Sequence, residues 1–202
     1  NTQNLSEEEE RENVEAISEL IEYYKGIFTI LSSCAARQLE EVTFRRSTIS
    51  VTDLCEYAVK YFRKASKGKT SRIEFLTEPT EKRIIGDINQ LRFLLENLID
   101  EALTVREDGI LKLHAAEDGN YIRFLFTDTR REKSVDELNK LFYPNLARMT
   151  SGEKGELRGT EYLICKQIIR DHDEFAGRRG CRINAEPAQE GGFTVYFTLP
   201  KR

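Results

Sequence analysis

The sequence predicts an α+β fold: a two-layer sandwich with a mixed β-sheet and helices on one face, preceded by an N-terminal helical segment. Two observations lead there. The strand-like stretches come mostly as hairpin pairs, not as alternating βαβ units. The helical stretches between them carry apolar stripes that one sheet face can cover.

Residues 5–43 read as helix. Ser6 offers an N-cap, and the acids of "SEEEE" fall in the first turn, where the helix dipole favours them. Val14, Ile17, Ile21, Tyr24, Phe28, Leu31 and Ala35 recur at alternating spacings of 3 and 4, a heptad-like seam interrupted at Gly26. Such a helix either lies on its own domain or dimerises and carries a signal. "TFRRSTISV" (43–51) reads as a connector. A second helix is expected from about Thr52 to Ser66, capped by Thr52 or Ser50, with Leu54, Ala58, Tyr61 and Phe62 inward.

"SRIEFLTE" (71–78) alternates like a strand, and "KRIIGD" (82–87) reads as its partner. A long helix follows through "INQLRFLLENLIDEALTV", with Leu91, Leu94, Leu95, Leu98, Ala102 and Val105 as a wide stripe. "GILKLHAA" (109–116) and "NYIRFLFT" (120–127) form a hairpin around "EDGN", whose Asp-Gly suits a tight turn. "SVDELNKLF" (134–142) is a short helix, 143–156 a loop, 159–172 a helix, and "CRINAEPA" with "FTVYFTLP" a closing strand pair.

Composition narrows the function classes. A net charge of −4 argues against a general nucleic-acid binder, and the basic run "RKASKGKTSR" (63–72) reads as a solvated face. Cys34, Cys55, Cys165 and Cys181 are far apart with no CxxC, so neither a disulfide framework nor a zinc site is expected, and a reducing, cytoplasmic compartment fits. No apolar run is long enough for a membrane span. The chain begins at Asn1 and reads as a fragment, so a membrane link is expected only through a region upstream.

Four segments in order resemble the catalytic and ATP-binding domain of sensor histidine kinases, the superfamily shared with DNA gyrase, a class of heat-shock chaperones and MutL. "GDINQLRFLLENLIDEAL" (86–103) resembles the N box. "LFTDTRREKSVDELNKLF" (125–142) resembles the G1 box and the segment behind it. "LRGTEYLICKQIIRDH" (157–172) resembles the G2 box, and "GGFTVYFTLP" the last strand. The resemblance covers residues 50–200 and implies a histidine-kinase-like ATPase fold over 50–202, with 1–46 as a dimerisation-like or signal-helix-like segment.

The same resemblance implies site residues. Asn97 matches the first N-box asparagine, while the Mg²⁺-holding asparagine falls at Glu101, the only candidate metal ligand. Asp128 matches the aspartate that accepts from the adenine amino group. Gly159 matches the middle glycine of G2, and Lys166 its lysine. The departures are Thr104 in place of a basic residue, Arg130 and Glu132 in place of both G1 glycines, and Leu157 and Glu161 in place of two G2 glycines. Three changes bring glutamate toward phosphate, and Arg130 and Glu132 place bulk where glycine allows close approach.

No histidine precedes His114, so the first helix offers no phospho-acceptor; His114 and His172 are read as structural. Asp100 and Glu101, adjacent on a helix, point about 100° apart and do not form an acid–base pair. The expected function is a cytoplasmic signalling module of a two-component sensor with a degenerate ATP site. It takes Mg-ATP at low affinity at most, and acts by homodimerising through the N-terminal helix and docking a response regulator or another kinase. The alternatives are an active kinase with a rearranged pocket, acting on another chain, and an interaction module outside phosphorelay.

Overall fold

The computed structural model describes residues 11, 13–18, 20, 21, 24, 44–78, 80–143, 150–151 and 157–202. Contacts divide the chain into two compact units, residues 1–43 with 144–160, and residues 44–143 with 161–202. In chain order the elements from residue 47 are β1 (Ser47–Ser50), α1 (Val51–Ala65), β2 (Ile73–Thr77), β3 (Arg83–Gly86), α2 (Ile88–Ala102), β4 (Gly109–Asp118), β5 (Tyr121–Asp128), α3 (Val135–Asn139), β6 (Thr150–Ser151), β7 (Leu157–Arg158), α4 (Glu161–Phe175), β8 (Ile183–Pro187) and β9 (Phe193–Pro200).

The larger unit is built on a five-stranded mixed sheet in the order β2-β4-β5-β9-β8. The β4–β5 hairpin pairs Asp118 with Tyr121, leaving Gly119 and Asn120 as a two-residue turn with Gly119 at φ +60°. That is the positive φ a tight hairpin needs. Side chains alternate along these strands, as a pleat requires. Leu111, Leu113, Ile122, Phe124, Phe126, Val195, Phe197 and Leu199 are buried in the core that also takes Leu94, Leu98, Cys165 and Ile169 from the helices. The cross-strand pair Phe124 and Phe197 stacks at 4.9 Å between ring centroids. On the opposite face Arg123 lies 3.9 Å above the Tyr196 ring and pairs with Glu186, and His114 is exposed. Helices on one face of a mixed sheet are therefore what the alternation leads to.

Two pairings differ from the sequence reading. β3 does not pair with β2. It pairs antiparallel with β1, Ser47 opposite Gly86 and Ser50 opposite Arg83, so the expected connector contains a strand. β2 instead runs parallel to β4, Ile73 opposite Gly109. A parallel pair needs a long crossover, and α2 lies within it. The apolar inward side of β2 explains the choice: Phe75 stacks on Phe62 of α1 at 5.2 Å and approaches Phe126 at 6.3 Å.

Helix ends follow local chemistry. Ser50 caps α1 by accepting from the Asp53 N–H, while the Thr52 hydroxyl donates to the Thr80 carbonyl at 2.6 Å. Ser134 and Glu137 form a capping box on α3. Asp87 caps α2, accepting from the Asn89 and Gln90 N–H groups at 2.9 and 3.2 Å.

In the smaller unit the described residues between 11 and 24 are helical. Val14, Ile17, Leu20, Ile21 and Tyr24 each expose between 50% and 66% of their surface. Ser6, Gly26, Phe28, Leu31, Ala35 and Cys34 lie outside the described residues, as does most of the loop expected over 143–156. Thr150–Ser151 of that loop pairs antiparallel with Leu157–Arg158, which follow it.

Gly192 has φ +73°, and a Cβ there would overlap the carbonyl oxygen of Asp128. Gly192→Ala is expected to cost about 1–3 kcal/mol from backbone strain alone, with the steric overlap in addition. Urea unfolding would show it as a lowered midpoint at unchanged slope.

Candidate functional site

The three motif segments meet at one end of the sheet in the larger unit. Leu98, Glu101, Ala102 and Val105 come from the end of α2 and the turn after it, and Phe126 and Asp128 from the end of β5. Arg131 and Lys133 come from the segment after β5, Tyr162 from α4, and Phe193 and Val195 from β9. The space these residues enclose is about 10 Å³. That is about one water-sized probe sphere.

Arg130 is bound to Asp128 at the end of this site. Its side chain has no exposed surface, and that of Asp128 only 5%. The Arg130 backbone N–H and Nε both donate to Asp128 Oδ1, at 3.0 and 2.8 Å, and Nη2 donates to Oδ2 at 2.7 Å. Nη2 also donates to the Ala102 carbonyl at 2.6 Å, and Nη1 to the Val105 carbonyl at 3.4 Å. The guanidinium thus spans the strand end and the C-terminal end of α2, where unsatisfied carbonyls favour a cation. It is a forked pair, the strong geometry for arginine and carboxylate. Gly109 makes room for it, since a Cβ there would overlap Arg130 Cγ. Thr129 completes the turn, its hydroxyl accepting from the Ile110 N–H and donating to the Ile110 carbonyl, both at 3.1 Å.

The other predicted residues are placed as follows. Glu101 and Asp128 line the same small space. Asn97 is buried, but its Nδ2 donates back to the Phe93 carbonyl of its own helix at 2.7 Å. Lys166 Nζ lies 4.4 Å above the Tyr143 ring. Gly159 has φ +87° and belongs to the smaller unit. Glu132, expected to press against a ligand, is exposed, whereas the Arg130 side chain is buried. Glu161 opens α4, and its Oε2 is buried without a hydrogen-bond partner.

Asp100 and Glu101 do diverge. Glu101 faces the small space, whereas Asp100 accepts from the Tyr61 hydroxyl at 2.9 Å to each oxygen. Burial pushes the Asp100 carboxyl above its ordinary range, although the Tyr61 bond acts against this. Burial and the same bond raise the Tyr61 phenol. Tyr57 makes the matching bond to Glu96 one turn away. These tie α1 to α2 and present no acid–base pair.

Sequence reasoning missed that the arginine after the strand would turn inward. The signal was present in two distant places, a glycine opening β4 and an arginine two residues beyond the aspartate. Nothing local connects them. Among the described residues no group of three or more His, Cys, Asp or Glu side chains is arranged to hold a metal ion. Burial lifts the thiols of Cys55 to about 11 and Cys181 to about 12, so neither is a thiolate at neutral pH.

A family model of histidine kinase-, DNA gyrase B- and HSP90-like ATPases matches residues 86–202. The signal transduction histidine-protein kinase BaeS of Escherichia coli (strain K12) is 25% identical over 163 residues, covering 79% of this chain and 33% of its own. The chain therefore spans about a third of that relative's length. The catalytic domain of the histidine kinase ThkA superposes with a TM-score of 0.60 at 20% identity, over 78% of this chain and 96% of that one. ThkA in complex with the response regulator protein TrrA gives 0.60 at 19% identity, over 88% and 49%. With more than half of its length matched, the chain belongs to the histidine kinase-, DNA gyrase B- and HSP90-like ATPase family.

Proposed function

We propose that this chain is a kinase-like signalling module of a two-component sensor whose adenine position is filled by its own Arg130. On this reading it acts by dimerising and docking a partner, not by phosphoryl transfer. The carrying observation is the buried pair of Arg130 and Asp128, with Nε and Nη2 at 2.8 and 2.7 Å from the two carboxylate oxygens. Asp128 holds the position that the family resemblance gives to the adenine-binding aspartate. Both of its oxygens accept from a guanidinium, which presents the donors that an adenine amino group would otherwise bring. To bind there, a nucleotide must break a buried ion pair and uncover the α2 carbonyls that Arg130 satisfies.

Mg-ATP does not fit these residues as they stand, and no phosphoryl-transfer step is assigned to them. The enclosed 10 Å³ is far below the volume of a nucleotide site, which runs to about 300 Å³ or more. Glu101 and Glu161 place two carboxylates on the helices that the resemblance assigns to Mg²⁺ and phosphate, so an unscreened triphosphate would meet repulsion. No histidine precedes His114, so the first helix carries no acceptor of the family's kind.

The exposed stripe of Val14, Ile17, Leu20, Ile21 and Tyr24 supports homodimerisation through the N-terminal helix. The ThkA complex supports a response regulator as the class of partner. The free thiols of Cys55, Cys165 and Cys181 fit a cytoplasmic setting, and no described helix is long and apolar enough to cross a membrane.

Calorimetry with Mg-ATP tests the central claim. The expected result is no heat of binding at 1 mM nucleotide and no rise in Tm, on the order of Kd above 1 mM. A Kd of about 10 μM would instead stabilise the fold by about 2.7 kcal/mol at that concentration and overturn the reading. Arg130→Gly with Glu161→Gly is expected to gain measurable nucleotide affinity. Asp128→Ala leaves the Arg130 charge buried and unpaired, so chemical denaturation should show a loss of about 3–5 kcal/mol. An aspartate that served only a ligand would show far less. Removal of residues 1–43 is expected to turn a dimer into a monomer in sedimentation, and an unchanged number of chains per particle would end the dimer proposal.

A further inference from the structure

Residues Phe44–Arg46, at the start of the connector read over 43–51, are held at three points of the larger unit. Phe44 packs edge-on against His172 at 4.9 Å and against Phe175 at 5.8 Å. The Arg45 backbone N–H donates to Asp87 Oδ2 at 2.8 Å. The Arg46 guanidinium lies over Gly177, just past the end of α4, where a Cβ would come within 2.7 Å of Nη1. A cation at that helix end is favourable.

His172 joins these points. It is fully buried. Its Nδ1 lies 2.8 Å from the Ile168 carbonyl and must carry the proton to bond it. Its Nε2 then accepts from the Asp87 N–H at 3.1 Å. The same Asp87 uses Oδ1 to cap α2 and Oδ2 to hold Arg45. One imidazole in one tautomer therefore orients the residue that both starts the N-box helix and fastens the connector. Gly86 leaves no slack, since a Cβ there would come within 2.9 Å of Nε2.

We propose that Phe44–Arg46 is a strap latched by neutral His172 through Asp87, and that protonation of His172 unlatches it and frees the connector from the start of α2. A second proton on the ring would set an Nε2–H against the Asp87 N–H, replacing an acceptor with a donor at 3.1 Å. The latch is a property of the larger unit and holds whether or not the nucleotide reading above is correct.

The charged groups around the ring set the direction. Burial is the largest influence and lowers the His172 pKa from its ordinary value; the bond to Ile168 and the carboxylates of Asp87 and Asp171 act the other way. Arg45 and Arg46 enter from the connector. With the docked pKa below the undocked value of about 6.5, the undocked form binds more protons between the two. Docking is thus fully favoured above about pH 6.5 and weakens as pH falls from there to the docked value.

Amide hydrogen exchange read by NMR on the full chain tests this. Between pH 7.5 and 5 the protection factor of the Arg45 amide is expected to fall, by up to about tenfold per pH unit inside the titration window, while amides of β4 and β5 keep theirs. The fall should share its midpoint with the ¹⁵N shifts of the His172 ring. Phe44→Ala, which leaves the sheet core intact, should lower Arg45 protection already at pH 7.5. The proposal is overturned if Arg45 protection is independent of pH. It is equally overturned if protection is lost only together with the β4 and β5 amides, or at a midpoint different from that of His172.

Discussion

The pairing of Asp128 with Arg130 is the constraint around which the site end of this domain is arranged. Burying a carboxylate at the end of a central strand is costly unless a partner meets it with good geometry. Arg130 does so from two residues away, and in doing so closes the turn after β5, satisfies carbonyls at the end of α2 and packs across Gly109. Strand end, helix end and neighbouring strand are thereby held by one side chain. In the proposed reading the interaction that stabilises this end of the domain is also the one that removes its nucleotide site.

The opposite end of α2 is organised by a different polar cluster, His172 with Asp87. Here too a buried group is tolerated because each of its polar atoms has a partner. The long helix α2 is thus fixed at its start by a histidine from α4 and at its end by an arginine from the β5 turn. Between them Leu91, Leu94, Leu95 and Leu98 supply the apolar contact with the sheet and α4. The two ends have different chemistry. The arginine is charged at every accessible pH, whereas the imidazole changes its hydrogen-bonding role when it titrates. This is why the proposed switch lies at the connector and not at the Asp128–Arg130 pair.

Much of the fold was legible because its signals are local and repeated. The stripe on α2, the Asp-Gly hairpin between β4 and β5, and the Gly191-Gly192 turn before β9 each depend on residues close in sequence. The family motifs are local in the same way. The strand partners were less legible. β1 has four residues, too short for alternation to mark it inside the connector, so β3 was read as a strand but given the wrong partner, and β2 found its partner across a helix because Phe75 had Phe62 and Phe126 to meet.

From the sequence alone came the family, the two-layer α+β architecture, the positions of Asn97, Glu101, Asp128, Gly159 and Lys166, and the loss of both G1 glycines. Only the tertiary structure decided where the side chain of Arg130 goes. The arginine two residues past Asp128 could equally have been left exposed, as Glu132 is. Its inward turn depends on a space left by Gly109 and on carbonyls offered by Ala102 and Val105, all more than twenty residues away. Periodicity and motif describe the chain along its length. A buried ion pair depends on which groups the fold brings within about 3 Å of one another.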